Sequence, residues 1–542
     1  MPPLEPPAPP PTPPPADSGR RIGIAAAIWA ASIFLSRIIG LVREAVIGRI
    51  LGGGSAADVY WTAFVVPDFL NYLLAGGALS IVFIPIFGGY LARDDEEGAW
   101  QAFSVIANAL VLALGLITIG LWFALPWLVP VVAPGFDAKE AADLVALSRI
   151  ILPAQIFHLV GGLLSAALQA RDRHALPALA PLLYTGSIVV AGLLLGPSLG
   201  AWAFAWGVLA GSIVGPFGLP LIGCLRMGMR WTPVLRWNDD LEAYLWRSLP
   251  IMFGWSIVVV DDWILRREGS LLGPGAISTL QYAKTLMKVP MGVFGLATGV
   301  AAFPTLTRLL HQGHRDEAYR TLAGATRRML VLAFAAQVGV TVAGTEIATV
   351  VYGPKLPASQ HQAIGTALGV MSLGLWAWAA QTVVARGFYA MGNTWLPTIV
   401  GTVLVVVAYP VYVLGRIHGG TTGLAAASAT AITTYVVVLM VLLRRQFPGV
   451  KDHYGGFFAR TVPAVALGIA VGWVLSPWLP ALPAFEGSEH LGVYLIAVER
   501  AAALATTGLA VYVGTTLLLG VHEVHEVGRM LARRLFRGRG VP

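Results

Sequence analysis

Long apolar segments follow one another along almost the whole chain, and they constrain the fold more than any other feature. A helix of about 20 apolar residues crosses a lipid bilayer, and these segments reach or exceed that length. Only 12% of the residues are charged, against roughly 25% in soluble proteins. The chain is therefore predicted to be an all-α, polytopic membrane protein, because the segments are too long and too uniformly apolar for the alternating strands of a β-barrel.

Breaks at glycine, proline and charged residues divide the region 22–520 into about fourteen predicted spans. Loops rich in arginine and lysine alternate with loops that have few, and the positive-inside rule then places both termini in the cytoplasm. In this topology Arg266 and Arg267 lie on the opposite side, at the end of the predicted span 241–267. The basic surplus, which gives a net charge of +8, is explained by this topology, and no nucleic-acid partner is expected.

Three short motifs recur in the same order at nearly one spacing, which predicts an internal duplication. The matches are 51–54 with 272–275 at 221 positions, 168–170 with 388–390 at 220, and Pro85 with Pro304 at 219. A repeated unit of six spans returns to the same side of the membrane, so the two copies share one orientation, as in parallel-repeat transporters.

The duplication divides the chain into six predicted parts. The two six-helix lobes are followed by two additional helices, and the tails are polar or proline-rich. The parts are a disordered Pro-rich cytoplasmic tail (1–21), an N-terminal lobe (22–228), a cytoplasmic linker (229–240), a C-terminal lobe (241–446), a two-helix unit (447–520) and a basic amphipathic cytoplasmic tail (521–542).

Charged residues inside the first two predicted spans are the first candidates for function. A charge near the bilayer centre costs at least about 2.5–3.5 kcal/mol, so such side chains must face a watery cavity or one another. Arginine forms bidentate bonds to phosphate, and Arg37 and Arg43 are therefore predicted to hold a pyrophosphate headgroup. In the alternative, Arg37 forms an internal bridge with Glu44 or Asp58. Residues predicted to act as helix hinges are Gly40, Gly77, Pro85, Pro290 and Pro304.

Lys284 and Lys288 lie four residues apart, so they share one face of a predicted helix. Two ammonium groups on one face repel unless an anion or a carboxylate lies between them, and Asp261 and Asp262 are the nearest carboxylates in the sequence. Two interpretations stay open: the lysines bind an anionic substrate, or they form a structural network with the aspartates.

Enzyme chemistry has little support in the sequence. The pair Asp261-Asp262 could hold Mg²⁺ in a membrane glycosyl- or prenyltransferase, but further acidic ligands at helical spacing are missing. The sequence has no Walker A motif, nucleophile elbow or dinucleotide fingerprint. We expect a transporter with no cofactor and no metal, energised by an ion gradient (Na⁺ or H⁺), the membrane potential or substrate flux.

The first hairpin resembles the MurJ/MviN family of lipid II flippases, in the multidrug/oligosaccharidyl-lipid/polysaccharide exporter superfamily. The residues that carry the resemblance are the run 36–44 (SRIIGLVRE), Gly52, Gly54, Asp58, Pro67, Gly77, Phe83 and Pro85, and a second run from Tyr282 through Pro290 to Pro304. The resemblance implies alternating access around a central cationic cavity, with Arg37, Arg43 and Asp58 at the positions of the family motif and a groove for the lipid tail at the last two helices.

The resemblance also implies a place and partners for the chain. These are a bacterial cytoplasmic membrane, a lipid-linked glycan as substrate, membrane lipids, proteins of cell-wall synthesis, and a monomeric state. An exporter of another polyprenyl-linked glycan and a drug antiporter remain the alternatives.

Two arginines typical of the family are absent from this chain. Asn71 and Tyr72 stand where its second helix usually carries one, and Thr285 stands where its eighth helix carries another. We expect Lys284 and Lys288 to replace this charge. In the alternative, the chain moves a different polyprenyl-linked glycan or serves as a second family member in its cell.

Overall fold

The computed structural model describes residues 35–75, 82–252, 257–450, 453–485 and 490–536, and these ranges contain helices and turns without a strand. We number the α-helices α1 to α21 in chain order. They are α1 35–51, α2 Ser55–Thr62, α3 Val65–Ala75, α4 Ile84–Leu91, α5 Glu96–Val132, α6 Ala138–Ile151, α7 Ala154–Gln169, α8 Ala175–Leu199, α9 Ala201–Ser212, α10 Leu219–Arg226, α11 Asp239–Met252, α12 Ile257–Ser270, α13 Ala276–His311, α14 Arg315–Val342, α15 Gly344–Tyr352, α16 Ala358–Ser372, α17 Leu375–Ala390, α18 Trp395–Arg445, α19 Tyr454–Leu475, α20 His490–Leu518 and α21 His522–Phe536. A π-helix, Ile213–Gly218, joins α9 to α10.

Eight helices in the described ranges are long and apolar enough to cross a membrane, or nine if the bent pair α16 and α17 is taken as one span. This supports the predicted polytopic all-α class, and the figure of fourteen spans stays a prediction. The eight include α18, whose 51 residues would extend about 75 Å as a straight helix, far beyond a hydrocarbon core of about 30 Å. Gly420 has φ 55° and ψ −134°, so α18 is two helices meeting at a kink, as the predicted spans 394–416 and 421–444 require.

The second predicted span, 57–91, is divided rather than continuous. Its described parts are α2, α3 and α4, with turns at 63–64 and a π-type turn at 82–83 before α4. Pro85 lies in the first turn of α4, where a missing N–H removes no helical hydrogen bond. Gly77 lies outside the described residues.

Local sequence explains where the long helices begin. The Asp95 carboxylate caps α5 by accepting a hydrogen bond from the Gly98 N–H at 2.8 Å. Asp137 and Glu140 form a reciprocal capping box at the start of α6. Acidic residues also stabilise a helix N-terminus through the helix dipole, so both starts are fixed by sequence.

Two of the three repeated motifs lie at equivalent turns, whereas Pro85 lies in the first turn of α4 and Pro304 lies inside α13. Residues 52–54 precede α2 and residues 273–275 precede α13, while 170–174 precede α8 and 391–394 precede α18. Gly52 and Gly275 have φ values of 71° and 89°, a left-handed conformation that favours glycine. At the other end of the chain, α19 and α20 pack on each other and against α14, so the additional helix pair attaches to the C-terminal half.

Candidate functional site

A cavity of about 480 Å³ lies between α1, α8 and α13. We call it the central cavity. Its charged and polar lining residues are Arg37, Arg43, Glu44, Thr185, Gln281, Thr285 and Lys288. The predicted candidates Arg37, Arg43 and Lys288 are therefore brought together, although α1 and α13 lie more than 200 residues apart in the chain.

The central cavity lies near the middle of the membrane-spanning part. Arg43 is eight residues from the end of α1 at Leu51, which corresponds to about 12 Å along the helix. Lys288 is twelve residues from the start of α13 at Ala276, or about 18 Å. Both distances are measured from the same end of the molecule, and half of a 30 Å hydrocarbon core is about 15 Å.

Arg43 forms an ion pair with the buried carboxylate that follows it in α1. Its Nη2 donates to Glu44 Oε1 at 2.5 Å, and the Glu44 side chain is almost fully buried. The Arg43 Nε and the Glu44 Oε2 are buried without a hydrogen-bond partner among the described residues. Both atoms have almost no accessible surface, and leaving such polar groups unpaired costs free energy.

Arg37 and Arg43 reach the same cavity because the cavity extends around α1, which is one continuous helix from 35 to 51. A Cβ added to Gly40 would meet nothing within 4 Å, so this glycine leaves open space between the two arginines. Glu44 pairs with Arg43, rather than forming the Arg37 bridge considered as an alternative.

The two lysines of α13 have different environments. Lys288 lines the central cavity, is 38% exposed and lies 3.6 Å from Asp262 Oδ2. Lys284 is buried, with its Nζ 2.5 Å from Asp262 Oδ1 and bonded directly to Asp261. Of the two interpretations, the structure therefore places Lys284 in an Asp–Lys network and Lys288 at the cavity wall.

The network around Asp261 reaches into α18. Asp261 accepts hydrogen bonds from the Tyr412 hydroxyl and, at 3.1 Å, from the Ser428 hydroxyl, and it is 1% exposed. A buried carboxylate is tolerated when paired and fully hydrogen-bonded, and these contacts meet that condition. They also connect α12, α13 and both parts of α18 into one unit.

An ion pair between the two halves of the chain was missed in the sequence analysis. Arg266 Nη1 lies 3.5 Å from Asp68 Oδ2, which links α12 to α3. The predicted span 241–267 ended at Arg267, and α12 continues three residues further, to Ser270. The signal available in the sequence was Asp68 itself, a carboxylate inside an apolar span that needed a cationic partner.

Asp58 is placed at a contact between the halves and not in the central cavity. Its carboxylate accepts hydrogen bonds from the N–H groups of Gly275 at 2.7 Å and Ser278 at 2.6 Å, at the start of α13. The backbone amides at a helix N-terminus attract anions, so a side chain from α2 caps a helix of the other half. We call this contact the Asp58 latch.

Further contacts close the same end of the molecule. The Tyr282 hydroxyl donates to the Gly52 carbonyl at 2.6 Å, and the Gln360 amide donates to the Gly53 carbonyl. A Cβ added to Gly275 would lie 2.5 Å from the Gly53 carbonyl oxygen, which shows how closely the two turns approach. The halves thus touch at the end formed by turns 52–54 and 272–275.

The predicted hinges differ in their local structure. The helix α13 runs without interruption from Ala276 to His311 and so includes Pro290 and Pro304. Hinge motion at these prolines, and at Gly40, Gly77 and Pro85, remains a prediction.

A metal centre has no support in the described ranges, where no group of three or more His, Cys, Asp or Glu side chains could hold an ion. The carboxylates of Asp261 and Asp262 are both occupied by the Lys284 ammonium group. This pair therefore does not form the open carboxylate site that Mg²⁺ binding would need.

A second, longer cavity of about 960 Å³ lies between α14, α16 and α19. Most of its lining is apolar, including Phe334, Leu373, Ile469 and Trp473. Arg500 of α20 lies at its margin and is paired with Glu346 at 3.0 Å. We call this space the apolar groove.

The fold is all-helical and multi-pass, its halves close at one end, and a cationic cavity lies between α1, α8 and α13. Together these features define a membrane transporter. The family model described as "Lipid II flippase MurJ" matches residues 47–484, and the chain belongs to this family, whose members are transporters and not enzymes. The protein is a multi-pass inner-membrane protein. Arg37 and Arg43 precede the matched range, so their assignment rests on the motif and on the cavity geometry.

Curated relatives and solved structures agree with this family. A probable lipid II flippase MurJ of Rhizobium tropici is 27% identical over 520 residues, covering 92% of this chain and 94% of that protein. A probable lipid II flippase MurJ of Haemophilus influenzae is 25% identical, covering 91% and 98%. A solved lipid II flippase MurJ in an inward closed conformation has a TM-score of 0.71 at 19% identity, covering 89% of this chain and 98% of that one. A multidrug transporter of the MATE family has the same general fold, with a TM-score of 0.59 at 15% identity, covering 78% and 98%.

Proposed function

We propose that this protein translocates lipid II, the polyprenyl-pyrophosphate-linked precursor of peptidoglycan, across the cytoplasmic membrane by alternating access. The observation that carries the proposal is the central cavity, in which Arg37, Arg43 and Lys288 converge at mid-depth. Guanidinium groups bind phosphate oxygens in bidentate geometry, and Arg37 and Arg43 supply two such groups to the cavity wall.

The Asp58 latch holds the protein in one conformation of the alternating-access cycle. With both termini in the cytoplasm, turns 52–54 and 272–275 face the opposite side, and the halves are closed there. We propose that this is the state in which the central cavity receives substrate from the cytoplasmic leaflet. Translocation then requires the Asp58 latch and the other turn contacts to open while the halves close at the cytoplasmic end.

The apolar groove fits the hydrocarbon part of the substrate. The polyprenyl chain of lipid II is apolar, and burial of apolar surface contributes about 25 cal/mol per Å². We propose that the chain lies in the apolar groove while the pyrophosphate occupies the central cavity. An ion gradient or the membrane potential supplies the energy in this proposal.

Complementation of a bacterium depleted of its own lipid II flippase tests the proposal. We expect wild type to restore growth, and Arg37→Ala and Arg43→Ala to fail while reaching the membrane in normal amounts. Lys284→Ala and Lys288→Ala are tested separately, because the former removes a buried partner of two aspartates and membrane levels must be followed. A well-expressed wild type that fails to rescue would contradict lipid II as substrate and favour another polyprenyl-linked glycan.

A further inference from the structure

A third cavity, of about 420 Å³, lies where the first turns of α19 and α21 meet the first half of α14, away from the central cavity. Basic side chains from α14 and α19 form much of its wall, and α21 forms the remainder. Its titratable lining residues are Arg327, Arg328, His453, Arg460, Glu523 and Glu526, together with His522. We call it the basic cavity.

Charge in the basic cavity is not balanced by its carboxylates. Arg327 Nε lies 2.6 Å from Glu523, and Arg328 Nη1 lies 3.0 Å from Glu526. The third arginine, Arg460, donates to the carbonyl oxygen of Gly520 at 3.2 Å, which is a neutral acceptor. Among the described residues that line the basic cavity, three guanidinium groups thus face two carboxylates, and the excess positive charge is available to an anion.

Glycines keep the basic cavity open. Gly324, Gly456 and Gly520 line it, one from each of α14 and α19 and one from the turn before α21. A Cβ added to Gly456 would meet nothing within 4 Å, so the space beside it is empty. The cavity therefore has both the charge and the room to accept a phosphate group.

Apolar side chains on the outer surface begin within one turn of the basic cavity. On α19, Leu467 is 47% exposed and lies seven residues, or about two turns, after Arg460. Leu518, at the end of α20 and two residues before Gly520, is 90% exposed. Exposed apolar residues on membrane-spanning helices contact lipid chains, so this arrangement places a phosphate site directly above a hydrocarbon-facing surface.

We propose that the basic cavity binds the phosphate group of an anionic membrane lipid, whose acyl chains lie along Leu467 and Leu518. Guanidinium groups are well suited to a phosphodiester because they offer paired donors and permanent charge. The bound lipid bridges α14, α19 and α21, and so holds the C-terminal helix against the membrane-spanning part. This site is separate from the proposed cargo site and does not depend on the identity of the cargo.

Lipid binding to the purified full-length protein tests the proposal. Binding is measured by native mass spectrometry with phosphatidylglycerol, phosphatidylcholine or inorganic phosphate, together with the shift of the unfolding midpoint. We expect wild type to bind phosphatidylglycerol at least tenfold more tightly than phosphatidylcholine, and to be stabilised by it. Arg460→Gln should remove most of this preference.

Two further variants separate a defined site from general attraction to the basic surface. Gly456→Leu fills the basic cavity without changing any charge and should weaken phosphatidylglycerol binding as Arg460→Gln does. Arg445→Gln removes an exposed charge at the end of α18, outside the cavity, and should bind like wild type. Equal losses in Arg445→Gln and Arg460→Gln, or no loss in Gly456→Leu, would overturn the proposal. A response to inorganic phosphate as large as that to phosphatidylglycerol would reject a lipid as the source of the anion.

Discussion

The α1 wall and the α13 wall of the central cavity differ in how far their cations are balanced by carboxylates. On α1, two arginines face one glutamate, and a buried Arg43 Nε has no partner among the described residues. Around α13, three cations are matched by three carboxylates. Arg266 pairs with Asp68, Lys284 with Asp261 and Asp262, and Lys288 with Asp262. The positive field of the cavity therefore comes chiefly from α1, while the opposite wall is close to neutral.

This comparison limits the idea that two lysines replace the missing family arginines. Only Lys288 reaches the central cavity, and it shares Asp262 with Lys284. Lys284 instead neutralises the aspartates that tie α12 to α18. We therefore propose that Lys288 alone supplies the replacement charge.

The largest effect is expected from Lys284→Met, which leaves Asp261 buried without its cation. Breaking a buried ion pair by removing one partner typically costs about 3–5 kcal/mol. We expect a drop of this size in the free energy of unfolding, seen as a lower unfolding midpoint of the purified protein. The matched control is Lys288→Met, four residues along the same helix; an equal drop in that variant would show that the two lysines are equivalent.

A large loss of transport is expected from Arg43→Gln, and the variant should also be less stable because the buried Glu44 carboxylate loses its cation. A hydrogen bond to a charged group contributes about 1.5–3 kcal/mol, which corresponds to roughly tenfold to a hundredfold in binding of the pyrophosphate. The loss is measured as the rate of lipid II translocation in proteoliposomes. Arg149→Gln, which changes an arginine stacked on Trp122 outside the cavity, is the control. Unchanged transport by Arg43→Gln would remove α1 as the source of the cavity field.

A smaller effect is expected from Asp58→Ala at the Asp58 latch. Loss of a helix-capping side chain costs about 0.5–2 kcal/mol, so the population closed at turns 52–54 and 272–275 should fall. Distances between spin labels placed on these turns report the change. Asp58→Asn keeps an accepting oxygen, so its closed population should lie between those of wild type and Asp58→Ala. If Asp58→Asn is as open as Asp58→Ala, the charge of the carboxylate is needed.

The smallest effect is expected from Lys288→Gln. Its ammonium group is partly exposed to water, and exposed ion pairs contribute about 0.2–1 kcal/mol. We expect a reduction of transport of up to about fivefold, with no change in the unfolding midpoint, because Lys284 retains Asp262. A reduction as large as that of Arg43→Gln would mean that both walls contribute equally.

Sequence reasoning was sufficient for the all-helical class, the repeated turns and the convergence of Arg37 with Arg43. These follow from features that are local or periodic: segment length, glycine-rich turns and charges inside apolar spans. The different environments of Lys284 and Lys288 could not be predicted, because their spacing places both on the same face of the helix. What separates them is the position of Asp261 relative to Tyr412 and Ser428, more than 150 residues later.

Arg266 and Asp58 show two other limits. Arg266 was counted only as a charge at the end of the predicted span 241–267, so its ion pair with Asp68 in the other half of the chain was not foreseen. Asp58 was placed among cavity residues because its depth in an apolar segment signals function. Its actual partners are backbone amides, and main-chain donors have no signature in a sequence.

The Asp58 latch has a consequence for genetic suppression. The Asp58 carboxylate binds main-chain N–H groups, which every amino acid except proline supplies. A different side chain at position 278 therefore leaves these donors unchanged. Position 275 is further restricted by its left-handed φ and by the nearby Gly53 carbonyl. Second-site revertants of an Asp58 allele should therefore map to other contacts between the turns, such as Gln360, whereas alleles of Lys284 can be rescued by reciprocal charge changes at Asp261 or Asp262.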